Sequence, residues 1–426
     1  MSKIKVLVLP SDRTGVSYFR STKPHVALEE LYPDEFHVDI EYEADRHGKL
    51  YNEEWLKQYD IIHYHRTAGP YERVPEVLDL CDKLGIVTIM DLDDYWAPGP
   101  HHPGYLMIKN AGLDKLILGN VKTARNVTTT TQVFAQELGK HNKASNIFVL
   151  PNAIDPTEKQ YIPKPEPSDR VRIGWLGGSS HLHDLQILKD VVGKVKSHGL
   201  IDKVQFVLCG FDLRGTMTII DEKTKEQKVR DIKPHESVWT QYEKIFTDDY
   251  SIVSPEYKAF LHQYKNEEFP NVANEPYRRV WTKPISSYAS NYNLFDVSLA
   301  PLEENIFNKV KSQLKVIEAG FHKKAIIAQD FGPYQVDLVN AHEFGGGWNE
   351  NGNAILIETN KNHKDWFKFI KKLIENPTLI EQLSTNLHNT VKDTYSIETI
   401  SANRRELYHR LVAEKKYRQL QSIASL

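Results

Sequence analysis

The chain has 426 residues, 40% of them hydrophobic, with a formal net charge of −3 and a mean hydropathy of −0.50. This length exceeds what one core sustains and predicts two domains of ordinary size, and the near-neutral balance excludes a global field for nucleic acid. Two cysteines, Cys81 and Cys209, exclude a disulfide scaffold and have no metal-ligating spacing.

The opening MSKIKVLVLP reads as a strand over 4–9, too short an apolar run for a signal peptide. No window reaches the ~18 consecutive apolar residues of a spanning helix, so a cytoplasmic location is expected. Further strands are predicted at 37–42, 60–65, 85–92, 126–131 and 147–151, with helical stretches between them. The four-proline segment 156–169 reads as a linker. A second series follows at 171–178, 204–210, 295–301, 324–330 and 354–359. Alternation of this kind calls for parallel sheets covered by helices, here two Rossmann-like units. The expected organisation is a first domain over 1–160 and a second over 170–395. The second contains a Trp- and Tyr-rich insertion, 211–285, that reads as mostly helical. The final helix, 396–426, is basic and amphipathic. Its cationic face admits a weak peripheral contact with anionic lipid, and the plainer alternative is a solvated face.

Polar motifs collect at the predicted carboxyl ends of strands, where ligands bind in open α/β sheets. RTGVSYFR (13–20) follows the first strand. Gly15 would let its loop approach an anionic ligand, and Arg20 would reach a donor or acceptor, unless it is an ordinary surface arginine. DIIHYHR (60–66) places His65 and Arg66 at a strand end. DLDDYW (91–96) supplies Asp91, Asp93 and Asp94, followed by His101 and His102 in PGPHHPGY. A metal reading of this DxD pattern competes with hydrogen bonding of sugar or acceptor hydroxyls by Asp93 or Asp94. The second reading is preferred, and no metal is expected.

In the second half, GWLGGSSHLHDL (174–185) is a strand, a glycine turn and a helix start. Gly177 and Gly178 permit close backbone approach, and the amides at Ser179 and Ser180 would face an anion. It lacks the spacing of a dinucleotide fingerprint. KSQLKVIEAG (311–320) predicts a helix with Lys311, Lys315 and Glu318 on one side. Its first turn, with Ser312, Gln313 and Leu314, would offer unsatisfied amides to phosphate oxygens, with lysine adding charge. Glu318, one turn deeper, would accept from both hydroxyls of a ribose. A solvated helix face with a local ion pair is the alternative.

With these motifs, FDVSLAPLEENIFNKVKSQLKVIEAGFHKKAIIAQDFGPY (295–334) and PNAID (151–155), the chain resembles GT-B-fold glycosyltransferases, nearest to the retaining family four. The resemblance covers nearly everything outside 211–285. It implies an α/β GT-B architecture, two Rossmann-like domains facing across a cleft, with the final helix crossing back to the first. It further implies donor ribose binding by Glu318 and diphosphate binding by the amides of Gln313 and Leu314. Two positions depart from the family pattern. Val310 stands where a second glutamate is usual, and Gly178 and His183 stand where an arginine and a lysine are common. Lys311 and Lys315 are the expected replacements for that charge. The implied activity is transfer of a sugar from a nucleotide-diphosphate sugar to a glycan, glycolipid or other hydroxyl acceptor, with retention. The alternatives are a nucleotide-sugar 2-epimerase and a non-catalytic nucleotide- or carbohydrate-binding relative.

Overall fold

The computed structural model describes residues 3–212, 215–220, 227–247, 276–343, 345–358 and 363–424. The chain divides into two compact units. The first comprises Met1–Pro156, Asn305–Leu314 and Val391–Leu426, and the second Thr157–Glu304 and Lys315–Thr390.

The first unit is built on six parallel strands: β1 (Ile4–Leu9), β2 (Phe36–Ile40), β3 (Ile61–His65), β4 (Val87–Leu92), β5 (Asn126–Thr129) and β6 (Asn146–Val149), in the order β2-β1-β3-β4-β5-β6. The strands are near-continuous apolar runs because both faces are covered, and the period of two divides them between two cores. Leu7, Leu9, Ile62, Tyr64, Met90 and Leu92 pack on one side with the helix Val74–Leu84. Val6, Val8, Ile61 and Ile89 pack on the other with Leu407, Tyr408, Leu411 and Val412. Those last four belong to the terminal helix Ile397–Ala424. It is a packed helix of this unit, and its basic residues are partly engaged: Arg404 is buried, Arg405 donates to Glu35 at 2.7 Å and Lys415 to Asp82 at 2.7 Å.

The second unit holds β7 (Val171–Leu176), β8 (Val204–Phe211), two antiparallel strands β9 (Thr216–Ile220) and β10 (Gln227–Asp231), and then β11 (Tyr277–Trp281), β12 (Val297–Ala300), β13 (Ala325–Gln329) and β14 (Ile355–Ile357). Its parallel sheet runs β11-β8-β7-β12-β13-β14. Counting only the strands of this sheet, that is the 3-2-1-4-5-6 order of a doubly wound fold, with its switch point between β7 and β12. In the first unit the order reverses between β1 and β3.

Of the segment 211–285, expected to be mostly helical, the described parts hold β9, β10 and a helix, Val238–Phe246, while Tyr277–Trp281 is an edge strand of the main sheet. The rest of that expectation, 213–214, 221–226 and 248–275, lies outside the described residues. One expectation needs correction: no single helix spans 311–320. A short helix, Ile306–Lys309, ends before Lys311, and the next runs Leu314–Phe321. The break is a tertiary effect. Val310 is buried in the first unit's core, Ser312 Oγ accepts from Asn152 Nδ2 at 3.2 Å, and Gln313 Nε2 donates to the Tyr395 hydroxyl at 3.1 Å. These anchors hold the chain between the two helices.

Candidate functional site

In the second unit, polar groups gather at the β7/β12 switch point. Gly177, Gly178, Ser179 and Ser180 form a loop after β7, and the following helix begins only at Leu182. The loop needs glycine for close approach: a Cβ on Gly177 would lie 2.5 Å from the Trp175 ring, and one on Gly210, at φ +100°, 2.3 Å from the Gly177 carbonyl oxygen. The Tyr242 hydroxyl donates to the Gly178 carbonyl at 3.2 Å and accepts from the His181 amide at 2.9 Å. His181 Nδ1 lies 2.7 Å from Asp184, whose other oxygen accepts from the Glu303 amide at 2.8 Å, tying the loop after β12 to the helix after β7. His183 lies on that same short helix, half-buried.

The helix Leu314–Phe321 completes this site. Lys315, in its first turn, donates to the Leu176 carbonyl at the end of β7, and its ammonium lies 4.9 Å from the Trp175 ring centroid. It is therefore held beside the glycine loop. One turn on, Glu318 is buried and accepts from the hydroxyls of Tyr288 and Tyr292, the latter at 3.2 Å. Desolvation raises its carboxyl well above the ordinary range. Neither tyrosine is in the sequence-level set. They lie four apart in SSYASNYNL, on the 3₁₀ turns Tyr288–Leu294, where no same-side pattern in the sequence marks them.

In the first unit the corresponding groups collect at the β1/β3 switch point and the end of β4. His65 donates from Nε2 to Asp93 Oδ1 at 2.9 Å, and its Nδ1 lies 2.8 Å from Ser11 Oγ in the loop after β1. Arg66 Nη2 donates to Asp93 at 3.3 Å and lies 3.6 Å from Asp94. Arg66 holds a left-handed backbone, φ 62°, a conformation costing a non-glycine residue about 1–3 kcal/mol. The Asn120 side chain, donating to the Arg66 carbonyl at 3.3 Å, helps hold it. Asp93 is half-buried, and desolvation opposes its ionisation, but His65 and Arg66 hold its carboxyl well below the usual range. Asp94, with its side chain 36% exposed, is pushed upward by burial and by Asp93. The two neighbouring carboxyls are thus shifted in opposite directions.

Lys311 belongs to this second cluster. Its charge is felt by Asp94 and His102, and its ammonium sits 5.1 Å from the Phe307 ring centroid; the His102 ring is also 5.1 Å from Phe307. His101 is exposed in the same loop. Gly15 opens a helical turn continuing into a widened turn, Tyr18–Thr22. Arg20 contradicts its expectation. It is 1% exposed, with Nε and Nη2 donating to the two oxygens of Asp91 at 2.9 and 2.7 Å, and Nη1 donating to the Leu150 carbonyl at 2.7 Å and to Asn152 at 3.1 Å. A bidentate pair inside the core leaves this guanidinium nothing for a ligand. Ser11 is missed at the sequence level because a lone serine after a strand carries no pattern. Among the described residues no three His, Cys, Asp or Glu side chains converge as a metal site requires, and no helix is long and apolar enough to cross a membrane.

No protein-family model matches the chain, and no curated protein matches it in sequence. Solved structures match in fold. A glycosyltransferase from Rickettsia africae aligns with a TM-score of 0.57 at 12% identity, over 97% of this chain and 99% of its own. HepE of Anabaena in complex with UDP-glucose aligns at 0.55 and 14% identity over 100% of both chains. The trehalose 6-phosphate synthase of Burkholderia multivorans aligns at 0.53 and 10% identity, covering 98% of each. At such identities the likeness establishes the fold: the chain has the α/β GT-B architecture, built from two Rossmann-like units.

Proposed function

We propose that this protein is a glycosyltransferase that moves a sugar from a nucleotide-diphosphate sugar to an acceptor hydroxyl, with retention at the anomeric carbon. The observation that carries the reading is the assembly at the β7/β12 switch point, where Gly177, Lys315 and Glu318 stand together. A lysine beside the glycine loop supplies positive charge for a diphosphate. Glu318, one turn deeper, offers carboxyl oxygens to ribose hydroxyls, with Tyr288 and Tyr292 holding those positions otherwise. Transfer of this kind needs positioning and stabilisation of the departing diphosphate more than a protein nucleophile. The acceptor hydroxyl is assigned to the first unit's cluster, with Asp93 as fixed acceptor and Asp94 as the proton-exchanging carboxyl. HepE, a neighbour in fold, is described with UDP-glucose, which makes UDP-glucose the first donor to try. The acceptor class proposed is a glycan, glycolipid or other hydroxyl compound, in the cytoplasm.

The test is calorimetry with UDP and other nucleoside diphosphates, followed by release of nucleoside diphosphate from a panel of nucleotide sugars. Saturable binding together with turnover supports the reading, and absence of both removes it. A second reading, a binding protein without turnover, draws on Val310. It is 1% exposed in an apolar core, so no carboxylate stands at that position. It expects nucleotide binding with no release on any donor, whereas a 2-epimerase would turn over donor without an acceptor.

A further inference from the structure

The terminal helix carries more cationic side chains than its packing uses. Leu411, Glu414, Lys415 and Arg418 are spaced at i, i+3, i+4 and i+7, one side of a helix. That side lines a cavity of about 430 Å³ in the first unit, together with Val87 and Thr88 at the start of β4, Asn126 at the start of β5 and Asn146 at the start of β6. The cavity therefore lies at the amino ends of these strands, whereas His65 and Asp93 lie at the carboxyl ends of β3 and β4. A six-residue strand puts about 17–20 Å between its two ends. Nothing in the proposed transfer reaction uses this cavity.

Its lining is cationic. Lys122, Arg125, Lys415 and Arg418 face it against two carboxylates, Asp82 and Glu414. Asp82 is already shared, accepting from Arg125 Nε at 2.8 Å and from Lys415 at 2.7 Å. Arg125 also donates to the Thr123 carbonyl at 2.8 Å and to Asp79 at 3.0 Å, so its fork is spoken for and it serves as fixed charge. Lys122 and Arg418 have no ion-pair partner among the described residues, and both are exposed enough to swing onto a ligand. Between the cations lie side-chain amides already oriented: Asn146 Nδ2 donates to Asn126 Oδ1 at 3.1 Å, and Asn126 Nδ2 to the Thr88 carbonyl at 3.0 Å. A volume of this size suits a small molecule. Mobile cations over a polar, pre-formed floor suit an anion bearing several acceptor oxygens.

We infer that this cavity is a second ligand site for a small phosphate-bearing anion, with Lys122 and Arg418 closing on the phosphate and Asn146 offering its amide oxygen to a neighbouring hydroxyl where the ligand carries one. The inference stands independently of the transfer reaction. Its bound group is the phosphate, whether free or carried on a small polyol.

Calorimetric titrations with inorganic phosphate and with glycerol 3-phosphate, run on the full chain, test it. Three proteins are compared: the unaltered chain, the exposed double variant Lys122→Ala/Arg418→Ala, and Lys315→Ala in the other unit. The expected result is saturable binding of at least one probe, weakened about tenfold or more in the double variant and retained in Lys315→Ala. Tighter binding of glycerol 3-phosphate assigns the site to a phosphorylated polyol, and equal binding assigns it to the phosphate group alone. Either result supports the site. No saturable heat with either probe, unchanged affinity in the double variant, or loss of binding in Lys315→Ala overturns it.

Discussion

Tyr292 donates its hydroxyl to Glu318 Oε2 at 3.2 Å inside the second unit, and desolvation there holds the Glu318 carboxyl well above the usual carboxylate range. Tyr288 meets the other oxygen. A nucleotide ribose presenting two hydroxyls would replace contacts that already exist. Glu318→Ala is therefore expected to weaken nucleoside diphosphate binding by about 1–3 kcal/mol. Calorimetry finding undiminished affinity in a folded variant would remove Glu318 from the ribose site.

The same carboxyl carries a stability consequence. An unfolded chain ionises Glu318 near the ordinary value of 4.5, while the native chain keeps the proton to higher pH. Between those two values the native state binds more protons, so stability falls as pH rises through that window. Glu318→Gln cannot ionise, and its unfolding free energy should be flatter above pH 4.5. Parallel slopes for the two proteins in denaturant titrations across that range would contradict this.

Buried histidine works in the opposite direction. His63 is held neutral by burial, its value lowered to about 3, and neither ring nitrogen has a hydrogen-bond partner among the described residues. The unfolded chain protonates it near 6.5, so stability is lost as pH falls from there toward about 3. His63→Leu removes that proton without removing apolar volume. Its melting temperature should decline less steeply than the parent's between roughly pH 6.5 and 4.

Lys311 and Lys315 should separate. Lys315 stands beside the glycine loop of the second unit, and Lys311 beside Asp94 and His102 of the first. Lys315→Gln is expected to cost nucleoside diphosphate binding about tenfold while sparing the free nucleoside. Lys311→Gln should leave both affinities alone and raise the acceptor KM instead. Equal losses of nucleotide affinity in the two variants would join the lysines in one site.

The three aspartates of DLDDYW should divide as well. Asp91→Asn strands the Arg20 guanidinium in the core and should cost about 3–5 kcal/mol of stability by chemical denaturation. Asp94→Asn should leave stability and nucleotide affinity near the parent's and slow turnover. Transfer should survive thorough EDTA treatment. Restoration of EDTA-treated enzyme by Mn²⁺ or Mg²⁺ alone would recast the aspartates as ligands.

The sequence by itself determined the two parallel sheets, because strands covered on both faces must be apolar along their length, and IKVLVL, GIVTIMDL, VQFVLCG and KAIIAQD each announce this without any partner. It also placed DIIHYHR, DLDDYW and GWLGGSSHLHDL at the carboxyl ends of strands, where ligands bind in open α/β sheets. Periodicity could not show β9 and β10, whose pairing is with each other rather than with a core, nor edge strand β11, set among aromatic residues that fit a helix equally well. Tertiary structure alone decided the roles within each motif. Arg20 and Asp93 look alike in sequence as polar groups near strand ends, but a facing Asp91 turns the first into core, while a facing His65 holds the second at the end of β4, half-buried. The helix over 311–320 fails for the same reason. Helical spacing is a local rule, and Val310, Ser312 and Gln313 answer to partners far along the chain. Local pattern sets which faces are apolar, and only the fold sets which charges meet.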